Sequence, residues 1–341
     1  MSTDASPDIT GSTSAALNGT PLPADDPERQ LIAKAVREVK DTTPLAQSFT
    51  NFVTVNLVAN AQLAAGGTAA MSYLPDDIID TAAIAKATYI NVGTLLPFFK
   101  DALGNIARSL QAMHHPWVLD PVAAGIGRTR SAILWAFRSA PPTIVRGNAS
   151  EIIALAGIWD LNVPSAGSDT GANEGTTRPA GVEAVDDVDS ATNAAIVMAR
   201  YLRSYAPNHR AAVAVSGATD LVTDGDTVYR LPGGSSMMTK ITGAGCSLGG
   251  VTATYLAVAD PLTAALAASA LYNRASEQAA EGCTGPGNFQ TRFLDALWNV
   301  TAEDIAASPI IVSHVPASQN SVSPDTAGHG LTSRNRTAPS M

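Results

Sequence analysis

From Thr43 onward the chain alternates short apolar, β-rich runs with helical stretches that average somewhat over a dozen residues, the rhythm of an α/β layer fold. The pattern predicts strands near 46–49, 68–72, 89–92, 117–119, 143–146 and 211–215, separated by helices near 52–65, 76–85, 97–114, 130–138, 150–156 and 185–205. The strand segments are apolar at successive positions, as expected of a parallel sheet covered by helices on both faces. After Val215 the pattern changes to an Asp224-Gly225 turn between 221–223 and 227–231, which reads as a β-hairpin. Helical segments follow near 247–259, 261–280 and 288–300. Residues 162–180, rich in Ser, Gly, Thr and Pro, carry no apolar periodicity and read as a mobile surface insertion. The first 26 residues and the tail 314–341 read as disordered, leaving one domain over 27–313 with no internal repeat.

Bulk properties narrow the partners. With 341 residues, 45% hydrophobic and 15% charged, the chain can bury a large core, and its few aromatics and many Ala and Gly residues suit close packing of helices on a sheet. A net charge of −9 without a basic cluster argues against nucleic acid and against anionic lipid, so small molecules are the expected partners. Only two cysteines occur, Cys246 and Cys283, which excludes a disulfide framework and fits a reducing compartment such as the cytoplasm. The 26 leading residues have neither a basic start nor an apolar run and do not read as a signal peptide or membrane anchor.

Thr239-Lys240-Ile241-Thr242-Gly243-Ala244-Gly245-Cys246, followed by a long apolar helix, is the most chemically suggestive segment. Two glycines flanking one small residue allow close backbone approach, and the first free N–H groups of the helix then converge on an anion such as a phosphate. A tight turn before a buried helix is the plainer alternative. A thiol at a helix N-terminus is also expected to have a lowered pKa. In an open α/β sheet the ligand lies beyond the carboxyl ends of the strands, which singles out Asp120-Pro121, Arg146-Gly147-Asn148-Ala149-Ser150-Glu151 and Ser216-Gly217-Ala218-Thr219-Asp220. Asn148 or Ser150 could equally cap the next helix, with Glu151 in its first turn, and Asp120 could simply end a strand. Taken together, Asp120 and Glu151 suit a Mg²⁺ ion held directly or through water, and Arg146 offers a fork to a phosphate oxygen. Such a set describes a kinase without a Walker-type loop, in which cation, arginine and helix terminus neutralise a transferring phosphoryl group.

Asn148-Ala-Ser-Glu151 and Thr242-Gly-Ala-Gly-Cys246 together resemble the two signature motifs of the ribokinase-like superfamily, most members of which carry Asp at the position of Cys246. The thiol narrows the resemblance to the hydroxyethylthiazole kinase family. It runs from about Pro44 to Val300 through Phe49-Thr-Asn-Phe-Val53, Met71, Asn91-Val-Gly-Thr-Leu95, Leu119-Asp-Pro-Val122, Arg146 to Glu151, Thr239 to Cys246 and Gly285-Pro-Gly-Asn-Phe-Gln290. It implies a ribokinase-like α/β fold, a central mostly parallel sheet with helices on both faces, and ATP-dependent phosphorylation of 4-methyl-5-(2-hydroxyethyl)thiazole with Mg²⁺. It further implies that Met71 and Gly243 line the thiazole site with Asn51 and Gly93 close by. Arg146, Ser216, Ala244 and Gly245 would meet ATP, Asp120 and Glu151 would serve Mg²⁺, and Cys246 would act as base or orient the hydroxyl. A homotrimer with pockets between subunits is implied as well. The chain departs from the family pattern at Gln47-Ser48, at Ser216 where threonine is usual, and at Pro232-Gly-Gly-Ser-Ser236.

Other residues have plainer readings. Met71 could be core packing, Cys283 is structural, His114-His115 ends a helix, Lys240 could aid a phosphate or equally be a solvated strand residue, and Gly285-Pro286-Gly287 sets a turn. The competing functions are a kinase of another vitamin alcohol (hydroxymethylpyrimidine or pyridoxal), an ATP-dependent NAD(P)H-hydrate dehydratase of the same fold, and a nucleotide-binding regulator.

Overall fold

The computed structural model describes residues 19–164 and 188–316. The chain runs β1 (Thr20–Pro21), α1 (Pro27–Thr42), β2 (Leu45–Phe49), α2 (Val55–Ala64), β3 (Thr68–Met71), α3 (Pro75–Ala82), β4 (Ala87–Asn91), α4 (Phe99–Ala112), β5 (Trp117–Asp120), α5 (Arg128–Phe137), β6 (Ile144–Asn148) and α6 (Ala149–Ile158). After the undescribed stretch come α7 (Thr192–Tyr205), β7 (Ala212–Ser216), β8 (Thr219–Thr223), β9 (Thr227–Pro232), α8 (Ala244–Leu256), α9 (Pro261–Ala280), α10 (Pro286–Asn299), α11 (Ala302–Ala306) and β10 (Ile311–His314).

The strands form one sheet in the order β1-β10-β9-β8-β7-β6-β5-β4-β2-β3. From β3 to β7 all neighbours are parallel, and beyond β7 the sheet continues antiparallel through β8, β9, β10 and β1. Because side chains alternate across a strand, each strand feeds two cores. Tyr89, Val118, Ile144 and Ala214 join one core with α1, α2 and α8 to α11. Ile90, Leu119, Val145 and Val213 join the other with α3 to α7. This is the layered ribokinase-like architecture expected from the sequence, with the antiparallel wing extended beyond the single hairpin.

Three expectations need correction. Residues 19–26 are not a disordered arm: Leu22 is buried, β1 pairs with β10, and Asp26 caps α1 through Glu28 N at 2.9 Å. The Arg29 guanidinium pins this segment, donating to Leu22 O at 3.0 Å, Pro23 O at 2.9 Å and Ser308 O at 2.9 Å. At the other end, β10 extends through His314, the first residue assigned to the tail. Lys240 closes a 3₁₀ turn over Ser236–Lys240 and is not in a strand. The segment 162–180 lies outside the described residues from 165 onward, as do 1–18 and 317–341.

Candidate active site

The carboxyl ends of the parallel strands meet the N-terminus of α8. Asn91 ends β4, Asp120 ends β5, Arg146 lies two residues from the end of β6, and Ser216 ends β7. That edge is where an open parallel sheet binds its ligand. α8 begins earlier than its apolar pattern indicated, at Ala244, so Gly-Ala-Gly-Cys belongs to the helix start and Cys246 sits in the first turn. Gly243 precedes it with φ 89°, a conformation that favours glycine, and a Cβ there would lie 2.7 Å from Thr54 Cγ2. The amides of Ala244, Gly245 and Cys246 have no carbonyl one turn back and remain as donors for an anion.

A continuous polar chain crosses this edge. Asn51 and Asn91 both donate through Nδ2 to Cys246 Sγ, at 3.3 and 3.2 Å. Asn91 Nδ2 also lies 3.2 Å from Asp120 Oδ2, which accepts from Tyr89 Oη at 2.9 Å and Arg146 Nη1 at 3.2 Å. Arg146 then donates from Nη1 to Gly245 O at 2.8 Å and from Nη2 to Ser216 Oγ at 2.6 Å. The structure thus gathers Asn51, Gly93, Asp120, Arg146, Ser216, Gly245 and Cys246 into one network, with Gly93 N donating to Asn91 Oδ1 at 2.8 Å. Met71 is more lateral, at the carboxyl end of the edge strand β3 and separated from β4 by β2.

Two chemical expectations change. Arg146 is not a free fork: both Nη atoms are engaged by the protein, so it braces β5, β7 and α8. The Cys246 thiol is pushed above its ordinary pKa, not below it, chiefly by burial and then by the Asp120 charge, against hydrogen bonds from Thr54 and Asn51 and the attraction of Arg146. Burial likewise raises Asp120, opposed by Arg146 and its hydrogen bonds. Burial alone would lower Arg146, but the charges of Asp120, Tyr89, Glu151 and Cys246 carry its pKa upward.

Asn148 and Glu151 take the plainer role of capping the helix that follows. Asn148 Oδ1 accepts from Glu151 N and Glu151 Oε2 accepts from Asn148 N, both at 2.9 Å, forming a capping box at the start of α6. Glu151 Oε1 accepts from Ala123 N at 3.0 Å. Its pKa is raised first by burial and second by Asp120, so the two carboxylates sense each other. Asp120 Oδ1 is buried without a partner, an unspent acceptor suited to a cation or its water. No cluster of three or more His, Cys, Asp or Glu occurs among the described residues, so a cation here would take most of its ligands from phosphate and water, as Mg²⁺ does.

The Gln47-Ser48 departure proves internal. Ser48 Oγ donates to Gln62 Oε1 at 2.8 Å, and Gln47 Oε1 accepts from Thr88 Oγ1 at 2.9 Å, both within the sheet layers. Tyr89 and Asn91 are the network members that sequence reasoning left without a role. An asparagine closing a strand beside a singled-out glycine was the available signal.

The model of the hydroxyethylthiazole kinase family matches residues 36–303. A hydroxyethylthiazole kinase of Bifidobacterium longum (strain DJO10A) is 67% identical over 319 residues, covering 92% of this chain and all of the relative. The chain belongs to the hydroxyethylthiazole kinase family. A more distant hydroxyethylthiazole kinase, from Gemmatimonas aurantiaca, is 39% identical and covers 83% of this chain and 94% of its own length. Among solved structures, the hydroxyethylthiazole kinase of Pyrococcus horikoshii OT3 superposes with a TM-score of 0.69 at 27% identity, over 84% of this chain and all of that one.

Proposed function

We propose that the protein is a kinase transferring the γ-phosphoryl group of ATP to the hydroxyl of 4-methyl-5-(2-hydroxyethyl)thiazole, in the supply of thiamine. The observation that carries the reading is the placement of Cys246 in the first turn of α8, joined through Asn91 to the buried Asp120–Arg146 pair. In the reaction the alcohol oxygen bonds to the γ-phosphorus, the bond from that phosphorus to the ADP oxygen breaks, and the hydroxyl proton is released. The free amides at the start of α8 receive phosphate oxygens, aided by the helix dipole and the Arg146 charge. Ser216 and the Ala244-Gly245 backbone face the nucleotide. Asp120 and Glu151 would hold Mg²⁺, which when bound would supply positive charge beside the phosphates. Cys246 orients the alcohol for in-line attack. Burial and the Asp120 charge keep the thiol protonated, so little thiolate is present to act as base, which a loose transition state tolerates because little proton removal is needed early.

The thiazole ring is assigned to Met71, Gly243, Asn51 and Gly93, in a pocket completed by a second subunit of a homotrimer. Met71 ends a strand that among the described residues is at the sheet edge, and Phe52, Val53 and Leu74 nearby are 44%, 70% and 56% exposed, the kind of apolar edge that an assembly covers. Phe52 stacks on Tyr73 with ring centroids 5.1 Å apart, fixing that surface. A cytoplasmic location agrees with the two free cysteines, and among the described residues no helix is long and apolar enough to cross a membrane.

The test is ADP release by the purified chain with ATP, Mg²⁺ and, in turn, thiazole alcohol, hydroxymethylpyrimidine, pyridoxal and hydrated nicotinamide nucleotide. Thiazole-dependent release supports the reading. Release that depends on any other of the four, or on none, refutes it.

A further inference from the structure

We infer that Asn91 is a positioning residue for Cys246, held in one orientation by Gly93 and Tyr89 so that its amide nitrogen fixes the sulfur relative to Asp120. This rests on the reading of Cys246 as the residue that orients the alcohol.

Hydrogen-bond directions fix the amide. Asn91 Oδ1 accepts from Gly93 N at 2.8 Å and from Asn51 Nδ2 at 3.3 Å, so the opposite edge of the amide must be Nδ2. That nitrogen faces three acceptors: Tyr89 Oη at 2.8 Å, Asp120 Oδ2 at 3.2 Å and Cys246 Sγ at 3.2 Å. It has only two protons. Tyr89 donates its own proton to Asp120 Oδ2, so those two oxygens sit side by side and share one N–H, leaving the other for sulfur. A flipped amide would set Oδ1 against the Asp120 carboxylate and turn Nδ2 towards the Gly93 N–H and the Asn51 amide nitrogen, losing the bonds to all three.

The surroundings prevent escape from this arrangement. Asn91 and Tyr89 are both wholly buried. A Cβ on Gly93 would lie 2.9 Å from Asn91 Oδ1, and one on Gly249 in α8 would lie 2.3 Å from Tyr89 Cε2, so the backbone closes tightly on both partners. The sulfur therefore receives two amide donors, from Asn51 and Asn91, and as an acceptor of both it is clamped from the sheet side. Its position towards the first turn of α8 is set before any substrate arrives, which is the condition for in-line delivery of an alcohol. Asn91 itself touches neither nucleotide nor alcohol in this reading and acts through sulfur.

Steady-state kinetics of the full chain test this with Asn91→Ala, Cys246→Ala and the double variant, each checked for folding by circular dichroism. The expected result for Asn91→Ala is a fall in kcat of about 30-fold with both KM values within about twofold, since misplacing a reacting group by an ångström can cost about 100-fold. In the Cys246→Ala background the same change should cost less than about threefold, because the atom it positions is gone. An equal loss in both backgrounds, a loss confined to KM, or an unchanged Asn91→Ala rate would overturn the inference. If Cys246→Ala is too slow to compare, the split between kcat and KM in the single variant decides, and Asn91→Asp, which puts a carboxylate oxygen in place of the donor, must fall at least as far as Asn91→Ala. An unchanged rate in Cys246→Ala would instead sink the reading of Cys246, leaving the two failures distinguishable.

Discussion

Gly249→Ala exposes how tightly the site is backed by its own scaffold. On propensity alone, replacing a glycine inside a helix by alanine stabilises by about 1 kcal/mol. Here the added Cβ would sit 2.3 Å from Tyr89 Cε2, 2.6 Å from Cζ and 2.8 Å from Oη, against the roughly 3.5–4 Å of an ordinary carbon contact. Relief requires a shift of more than about 1 Å by that measure. Tyr89 cannot supply it cheaply, because its strand is paired on one side to β2 and on the other to β5. Its hydroxyl is also tied to Asp120 and Asn91. Overpacking of a well-filled core costs about 1–3 kcal/mol and occasionally more. With an upper-range clash of about 3 kcal/mol and the propensity gain set against it, the net loss is about 2 kcal/mol, which lowers the melting temperature by roughly 4–8 °C for a domain of this class. Because the displaced ring holds Asp120 and Asn91, kcat should fall by about tenfold or more, the scale on which small misplacements act. Thermal melting and ADP release on the same preparation measure both. A variant that melts at or above the parent temperature with unchanged kcat would refute the packing of α8 on Tyr89.

Cys246→Ala should keep ATP binding, measured by calorimetry, while losing most transfer, and Cys246→Asp should retain activity; an unchanged rate for the alanine variant contradicts the role given to the thiol. Glu151→Gln keeps an acceptor for the capping amide but removes charge from the proposed cation site, so half-maximal activity should require several-fold more Mg²⁺, the direction expected when a carboxylate is lost from an oxygen-ligand site. A parent-like Mg²⁺ titration would remove Glu151 from that role. Burial lowers His115 from 6.5 to about 4, while Thr88 Oγ1 lies 2.9 Å from its Nε2. The unfolded chain therefore binds the proton first, so this contribution to stability is present above pH 6.5 and is lost as pH falls towards 4. Denaturant titrations of parent and His115→Gln across that window should show the variant with the shallower loss, and identical slopes would count against it.

The parallel core was largely legible because its determinants are local. The apolar runs ending at Leu119, Val145 and Val215, each followed by polar residues, mark both the strands and the edge at which the site forms. The pattern read from Thr43 onward leaves α1 out, although Asp26-Pro27 followed by Ile32, Ala35, Val36 and Val39, these four buried on one helical face, carries its signal. β10 did not, since a four-residue strand owes its existence to pairing with β9, as in Ile311 opposite Arg230, and nothing in its own sequence specifies that partner. The same division holds in the site. Cys246, Asp120, Arg146 and Glu151 could be picked out from residue type and spacing, yet the sign of the thiol shift could not, because a helix terminus is local whereas burial and the Asp120 charge come from tertiary packing. Asn91 was hidden for the same reason, its sulfur partner lying 155 residues away in sequence.

The most direct measurement is a crystal structure of the protein with 4-methyl-5-(2-hydroxyethyl)thiazole, Mg²⁺ and a non-hydrolysable ATP analogue. The account requires the alcohol oxygen within hydrogen-bond reach of Cys246 Sγ, and the terminal phosphate against the amides of Ala244 to Cys246. A thiazole or nucleotide seated away from the first turn of α8, with Cys246 touching neither, would contradict it.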